Sequence, residues 1–196
     1  MQKIILASRS PRRKQILQWA NIPFEINITE TDESHPAGLS PEQVAIHIAR
    51  NKAKAISDIL ANKDAEPPEL SYPILSADTI VVLDNEIIGK PSDKNNAIEI
   101  LQKLSGKKHL VITGVVILYN DTEIAFADIT EVEFYKLTNE QIEYYIDNYK
   151  PYDKAGAYAI QEWIGVVGIK RINGDFYNVM GLPISRILIE LKKMKK

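Results

Sequence analysis

Strand-like and helix-like segments alternate along the whole chain, and this alternation constrains the fold more than any other feature. The run Ile74–Leu83 is apolar and rich in β-branched residues, which favours a strand. Ser10-Pro11 and Ser40-Pro41 each place a serine N-cap before a proline in the first helical position, which marks a helix start. Helices interspersed with strands predict an α/β fold, with a mixed, twisted sheet flanked by helices.

Caps and turn residues predict the remaining elements. Turns at Asp84-Asn85 and Asn120-Asp121 predict two hairpins. A third helix is predicted to begin at an N-cap Ser92 and to stop at Gly106. It would bury a face made of Ala97, Ile98, Leu101 and Leu104. The other predicted elements are a strand over 3–7, helices over 11–21, from 41 and from Thr138 to Asn148, a loop over 62–72, strands over 166–172 and 175–179, and a last helix opened by Pro183. Capping boxes are predicted at Ser40 with Gln43 and at Thr138 with Gln141, and the helix from 41 is predicted to bury an apolar face of Val44, Ala45, Ile48, Ala49 and Ala53.

Composition limits the classes of protein that this chain can be. Its 196 residues predict a single domain over 1–196, and 45% hydrophobic content excludes global disorder. A net charge of -2 argues against binding duplex nucleic acid through bulk charge. The longest apolar run, 110–119, is too short to span a bilayer. The absence of cysteine excludes disulfides and thiolate chemistry and agrees with a cytoplasmic location.

Common catalytic motifs are absent from the sequence. It contains no GxxxxGK[ST] loop, no GxGxxG fingerprint, no HExxH pair and no GxSxG elbow. The three histidines, His35, His47 and His109, lack the spacing of metal ligands. Surface or packing roles are therefore expected for them.

The segment Ser8-Arg9-Ser10-Pro11-Arg12-Arg13 is the first positive signal. Arg12 and Arg13 fall in the first turn of the predicted helix, where a cation opposes the helix dipole at a cost of ~0.3–1 kcal/mol. A bound anion would reverse that cost, because free N–H groups, serine hydroxyls and guanidiniums would all face it. The segment is either a polyphosphate cradle or a solvated basic face, since the dipole cost is small.

Asp78 is the second signal, because it interrupts the apolar run Ile74–Leu83. A carboxylate there needs a cation or a metal ion beside it. Asp78 is thus a general base, a metal ligand or a structural residue at a strand end. Turn lysines at Lys90 and Lys154, and the carboxylates of Asp32 and Glu33, are unspecific when taken singly. Together these residues suit a phosphorylated ligand with a divalent ion.

At these residues the sequence resembles the Maf family of nucleoside triphosphate pyrophosphatases, also described as septum-formation inhibitors. The resemblance covers nearly the whole chain. Its motifs are Ala7-Ser8-Arg9-Ser10-Pro11-Arg12-Arg13, Asp32-Glu33, Asn51-Lys52-Ala53, Ser76-Ala77-Asp78-Thr79, Gly89-Lys90-Pro91, Ser105-Gly106 with His109, Thr113-Gly114-Val115, Asp153-Lys154-Ala155-Gly156-Ala157-Tyr158 with Gln161, and Asn178-Val179 with Gly181-Leu182-Pro183.

The resemblance implies a fold, a reaction and a set of roles. The fold would be bilobed and similar to inosine triphosphate pyrophosphatases, with an active cleft between two lobes. The reaction would be hydrolysis of a nucleoside triphosphate to the monophosphate and pyrophosphate with Mg²⁺ or Mn²⁺. Asp78 would be the proton acceptor. Phosphate and metal would be bound by Ser8, Arg13, Glu33, Lys52 and Lys90, with Glu33 and Asp78 as metal ligands, and Arg12, Thr79 and Gln161 would select the substrate.

Those three specificity positions resemble the branch of the family that acts on dTTP and UTP, with modified pyrimidine nucleotides as further candidates. The chain departs from many relatives at Glu162-Trp163-Ile164, where they have a glycine-rich turn, so the shape of the base-side loop is an open question. Three alternatives stay open: the 7-methyl-GTP branch, a phosphomonoesterase, and a regulator of cell division that binds nucleotides without turnover. The expected partner is a nucleoside triphosphate, without nucleic acid or membrane, and a homodimer stays open.

Overall fold

The computed structural model of the chain describes residues 2–61 and 70–194. Contacts divide these residues into two compact units. Unit 1 contains the chain up to Asp78, the segment Thr113–Asp128 and the chain from Gly181 onward. Unit 2 contains Thr79–Ile112 and Ile129–Met180.

The described residues form a mixed sheet of seven strands. The strands are β1 (Ile4–Leu6), β2 (Phe24–Ile26), β3 (Ile74–Leu83), β4 (Glu86–Ile88), β5 (Lys108–Tyr119), β6 (Thr122–Phe134) and β7 (Ile169–Asn173). Their order is β2-β1-β3-β5-β6-β7, with β4 beside β3. Strand β1 runs parallel to β2 and β3, whereas β4 is antiparallel to β3 and β7 to β6.

Each of the first four helices begins after a residue whose side chain caps it. They are α1 (Pro11–Trp19), α2 (Pro41–Leu60), α3 (Lys94–Leu104), α4 (Asn139–Tyr149), α5 (Trp163–Gly168), α6 (Phe176–Met180) and α7 (Ile184–Lys193), with short 3₁₀ turns at Pro151–Asp153 and Ala155–Ala157. The predicted α/β class, a mixed sheet flanked by helices, is confirmed. Both predicted hairpins and the capping box at Thr138 and Gln141 are confirmed as well.

Helix α2 supplies a central part of the unit 1 core. Ser40 and Gln43 form the predicted capping box at its start, and the predicted apolar face is buried. Gly114 on β5 lies so close to α2 that a Cβ there would be 2.3 Å from the carbonyl carbon of Ala45. Any larger residue at this point would push the helix off the strand. Gly114 thereby fixes the distance from strand to helix on which the position of Lys52 depends.

Four predictions for unit 2 are wrong, and two of them concern α3. Asp93, not Ser92, caps α3, because its carboxylate accepts the Asn96 N–H at 2.9 Å. Ile98 is only partly buried, and Ile100 takes its place on the buried face.

The strand predicted over 175–179 is helix α6. The carboxylate of Asp175 accepts the Tyr177 N–H at 2.7 Å, which caps a helical turn and outweighs the β-propensity of the residues that follow.

The strand predicted over 166–172 begins at Ile169, because 163–168 form α5. Gly165 N–H donates to the carbonyl of Glu162 at 2.9 Å and starts that turn. In the loop predicted over 62–72, residues 62–69 lie outside the described part of the chain. None of the described helices combines the length and the apolar character that crossing a membrane requires.

Candidate active site

Ser8 joins the end of β1 to the start of α1 in unit 1. Its side chain is buried, and its Oγ accepts the Ser10 N–H at 3.2 Å and an Arg13 Nη1–H at 3.1 Å. Ser10 caps α1 as predicted, with its Oγ accepting the Arg13 N–H at 3.4 Å. The two serines therefore fix both the backbone and the side chain of Arg13.

Arg13 is held from a second direction as well. Its Nε donates to the carbonyl oxygen of Gly181 at 2.8 Å. The pKa of Arg13 is lowered to about 10, chiefly by burial and in part by the charge of Arg12, while the carboxylates of Asp78 and Glu33 act in the opposite direction. Arg13 stays cationic at neutral pH, and its charge interacts with those of Arg12, Asp78 and Glu33.

Lys52, on α2, links the two carboxylates that the sequence singled out. Its Nζ lies 2.7 Å from Asp78 Oδ1 and 2.7 Å from Glu33 Oε1. The Lys52 and Asp78 side chains are 20% and 16% exposed, whereas Glu33 is 52% exposed. The carboxylate within the apolar strand therefore has a cation beside it, as burial of a charge requires. Two carboxylates, Lys52 and Arg13 form one charged cluster in unit 1.

Arg12, next to Arg13 in α1, lies in unit 1 and is partly buried. The other three predicted site residues belong to unit 2. Thr79 is partly buried on β3, Lys90 is exposed after β4, and Gln161 is exposed before α5. The loop that carries Lys90 is tied to a second loop, because the Gly156 N–H donates to the Gly89 carbonyl at 3.1 Å. Gly156 has a φ of +70°, which favours glycine.

Residues 3–194 match the family described as Maf-like protein. This chain belongs to the Maf family. The expected resemblance is therefore confirmed.

Curated Maf relatives match over almost the full length. The protein named dTTP/UTP pyrophosphatase in Cytophaga hutchinsonii is 49% identical, over 97% of this chain and 84% of its own. Its namesake in Bacteroides thetaiotaomicron is 45% identical, over 98% of this chain and 96% of its own.

Among solved structures, the Staphylococcus aureus Ham1 protein aligns with a TM-score of 0.45 and 12% identity, over 67% of this chain and 71% of its own. A dITP/XTP pyrophosphatase from Mycobacterium abscessus aligns with a TM-score of 0.40 and 13% identity, over 69% of this chain and 75% of its own.

The two carboxylates of this Maf family member suit a divalent ion that arrives with phosphate. Both lie 2.7 Å from the same Lys52 nitrogen, so the two carboxylates converge on one point. Among the described residues there is no group of three His, Asp or Glu that could enclose a metal ion. Mg²⁺ commonly uses one or two carboxylates and completes its shell with water and substrate phosphates. The donor set fits that mode of binding.

Two groups of interactions at the site were not predicted from the sequence. The Gly181 carbonyl that binds Arg13 is a backbone atom, so no side chain marks it, although Gly181-Leu182-Pro183 stood out as a motif. Lys154 was interpreted as a turn lysine, but its side chain is only 9% exposed and pairs with Asp153 and Glu162. The acidic Asp153 directly before it in the sequence was the signal that could have revealed an ion pair.

Proposed function

We propose that this chain is a nucleoside triphosphate pyrophosphatase that hydrolyses dTTP and UTP to the monophosphate and pyrophosphate. The observation that carries the proposal is the Lys52 nitrogen, 2.7 Å from both Asp78 and Glu33, two carboxylates whose charges also interact with that of Arg13. Cations and carboxylates in one cluster suit a ligand that is anionic and must also be attacked by water. The curated relatives named dTTP/UTP pyrophosphatase support the choice of substrate.

The cationic side chains would bind the triphosphate and the leaving pyrophosphate. Arg13 presents a guanidinium that two hydrogen bonds already orient, so little side-chain entropy is lost when it meets a phosphate oxygen. Lys52 has three N–H donors, of which two point at carboxylates and the third can bind phosphate. Lys90, in unit 2, is assigned a phosphate contact. Preorganised donors of this kind stabilise the charge that develops on the leaving group.

Asp78 is assigned the role of general base. Lys52 binds Asp78 Oδ1 and thereby orients the carboxylate, and the second oxygen of that carboxylate would take a proton from the attacking water. The water oxygen would bond to the α-phosphorus while the bond from that phosphorus to the bridging oxygen breaks. Pyrophosphate then leaves with the bonding electrons.

Glu33 and Asp78 would hold a Mg²⁺ or Mn²⁺ ion, which when bound supplies charge neutralisation at the phosphate oxygens. We further infer a cytoplasmic location, which the absence of cysteine supports.

Product identification tests the proposal. Purified protein is incubated with dTTP and Mg²⁺ in ¹⁸O-labelled water, and the products are read by ³¹P NMR and mass spectrometry. We expect dTMP that carries the label and unlabelled pyrophosphate, because the water attacks the α-phosphorus. Orthophosphate would indicate a phosphatase that removes a terminal phosphate, and label in pyrophosphate would mean attack at the β-phosphorus. Binding without any product would indicate a nucleotide-binding regulator. Each of these outcomes contradicts the proposal.

A further inference from the structure

The Glu162 side chain does not cap the helix that the residue precedes. Glu162 is the N-cap residue of α5, since its carbonyl accepts the Gly165 N–H at 2.9 Å, but its carboxylate caps no helical N–H. The carboxylate instead accepts a hydrogen bond from the Tyr145 hydroxyl and lies, through Oε1, 3.6 Å from Lys154 Nζ. All three residues belong to unit 2.

The Tyr145 hydroxyl also binds the other end of the same turn. It accepts the Ala159 N–H at 3.1 Å, while the Glu162 N–H closes the turn by donating to the Ala159 carbonyl at 3.1 Å. Tyr145 itself is fully buried, at 0% exposure, so its hydroxyl is a fixed point. One hydroxyl therefore holds both Ala159 and Glu162.

The charge of Lys154 ties this turn to the preceding loop. Lys154 is only 9% exposed in its side chain, and its Nζ lies 2.7 Å from Asp153 Oδ1. Asp153 is 58% exposed and well solvated, whereas Glu162 is 22% exposed. Asp153 is thus the closer partner of this nearly buried ammonium, and Glu162 is the one that is itself shielded from solvent.

Gln161 lies inside the turn over 159–162, which these contacts hold at both ends and which is called the clamped turn below. Its side chain projects from that turn. Its neighbour Ile160 is 4% exposed and packs inward, whereas Gln161 is exposed. Backbone anchors one or two residues away on both sides limit where its amide can point. An exposed glutamine elsewhere would sample many directions, and ordering it on a ligand would cost binding free energy.

We propose that Glu162, held by Tyr145 and Lys154, is a positioning residue that fixes the Gln161 amide for recognition of the nucleobase. The proposal rests on the proposed function, which assigns Gln161 to substrate choice. Glu162 acts through the turn and does not touch the base.

The experiment compares Glu162→Gln with the wild type on dTTP, UTP, ATP and GTP. Glu162→Gln keeps the shape and removes the charge. We expect KM for dTTP and UTP to rise about 10-fold, as misplacement of a recognition group does, with kcat nearly unchanged because the phosphate residues are intact. The values for ATP and GTP should change little. Tyr145→Phe, which keeps the ring and removes the hydroxyl, should give the same pattern and serves if Glu162→Gln does not fold.

A double-mutant cycle separates positioning from general stabilisation. If Glu162 acts through Gln161, the double variant Gln161→Ala with Glu162→Gln should be no worse on dTTP than Gln161→Ala alone. Additive losses, or equal losses on all four nucleotides together with a lower melting temperature, would overturn the proposal. The matched control is Asp147→Asn. Asp147 lies on the same helix as Tyr145 and forms an exposed 2.6 Å ion pair with Lys94 of α3, so its loss should leave selectivity unchanged.

Product formation and dTTP binding by the wild type test the proposed function separately from the role of Glu162. If the wild type yields pyrophosphate from dTTP and the variants keep its selectivity, only the positioning role fails. If it binds dTTP without turnover, the pyrophosphatase assignment fails, and the ratios of dissociation constants for dTTP and ATP decide the role of Glu162. If it neither binds nor hydrolyses dTTP, both are wrong.

Discussion

The Nε of Arg13 donates a 2.8 Å hydrogen bond to the carbonyl of Gly181, although 168 positions separate the two residues. The guanidinium near the start of the chain is thereby fixed by a backbone atom close to its end. Gly181 has a φ of +109°, a conformation that L residues rarely adopt. The glycine is therefore required for the direction in which this carbonyl points.

Replacing Arg13 should affect both catalysis and stability. Arg13→Ala should lower kcat/KM by roughly 10–150-fold, because a charge-assisted partner of the phosphate is lost. From the helix dipole alone, apo stability would rise when this cation is removed. The bonds to Ser8 and Gly181 reverse that expectation, and we expect a loss of about 1 kcal/mol in the free energy of unfolding. Urea denaturation beside steady-state kinetics measures both.

Arg13→Lys is the matched variant, because it keeps the charge and loses the fork of donors. It should recover part of the triphosphate affinity but none of the lost stability. Full recovery of kcat/KM would show that charge alone matters and that the Gly181 bond is irrelevant to function.

Asp78→Asn should preserve the fold and remove most turnover. The amide keeps the volume and can still accept from Lys52, but it cannot take a proton from water, so kcat should fall by ~10²–10⁴-fold. Affinity for the triphosphate should hold or increase, because a negative charge near the phosphates is removed. Single-turnover kinetics and a binding titration measure the two quantities.

The control for that prediction is Asp84→Asn. Asp84 is 75% exposed and pairs at 3.3 Å with the exposed Lys107, so the variant should retain wild-type activity. The general-base assignment would fail if Asp78→Asn kept more than about a tenth of the wild-type kcat, which lies outside the usual range for loss of a base.

His109 should make the stability of the protein depend on pH. It is 2% exposed, stacked on Phe134, and its Nε2 lies 2.8 Å from the Tyr158 hydroxyl. Burial lowers its pKa from 6.5 to about 4. Between those values the unfolded chain binds a proton that the folded chain does not, so stability falls as the pH falls from 6.5 to 4. The full contribution is on the order of 3 kcal/mol.

His109→Gln tests this, since it removes the titrating group and keeps a polar partner for Tyr158. The difference in unfolding free energy between wild type and variant should shrink as the pH falls through this window, and carboxylates common to both proteins cancel. His35→Gln, at an exposed position, is the control and should leave the pH profile unchanged. A constant difference between wild type and His109→Gln would mean that His109 is protonated inside the fold.

Local signals predicted most of the fold. The capping boxes at Ser40 and Thr138 bind only residues three positions away, so the sequence reveals them without any tertiary information. Helix α6 was missed for the opposite reason. Its residues favour a strand, and a single bond from the Tyr177 N–H to Asp175 decides the outcome.

The candidate site was less accessible to such reasoning. Asp78 stood out because a carboxylate in an apolar strand needs a partner, but nothing local identified Lys52 on α2 as that partner. Nor did any local pattern identify Glu33, in an irregular segment, as the second carboxylate that Lys52 binds. The resemblance to the family supplied both residues. Glu162 was the open point of the sequence analysis, and its contacts with Tyr145 and Lys154 depend on tertiary packing that no local pattern encodes.

The last prediction concerns the base. A glutamine amide offers a donor and an acceptor, which match the O4 and N3–H edge of thymine or uracil. The 7-methylguanine ring is positively charged and would favour an acidic partner, and the one acidic neighbour of Gln161, the Glu162 carboxylate, is already engaged by Tyr145 and Lys154. We therefore expect kcat/KM for dTTP and UTP to exceed that for ATP, GTP and 7-methyl-GTP by at least ~10-fold, or ~1.4 kcal/mol of transition-state binding.

A nucleotide panel measured on the wild type and on Gln161→Ala decides this prediction. Gln161→Ala should lose the preference mainly through the pyrimidine substrates, because a site built to hydrogen-bond a base discriminates by leaving polar groups unpaired with the wrong one. Gln102→Ala is the control, since Gln102 is also an exposed glutamine of unit 2. Its Nε2 donates to Asn139 Oδ1 at 3.1 Å, and neither residue belongs to the clamped turn. A preference for 7-methyl-GTP in the wild type, or an unchanged profile in Gln161→Ala, would overturn the predicted preference for dTTP and UTP. The pyrophosphatase assignment would not be affected, because it depends on which products the wild type releases.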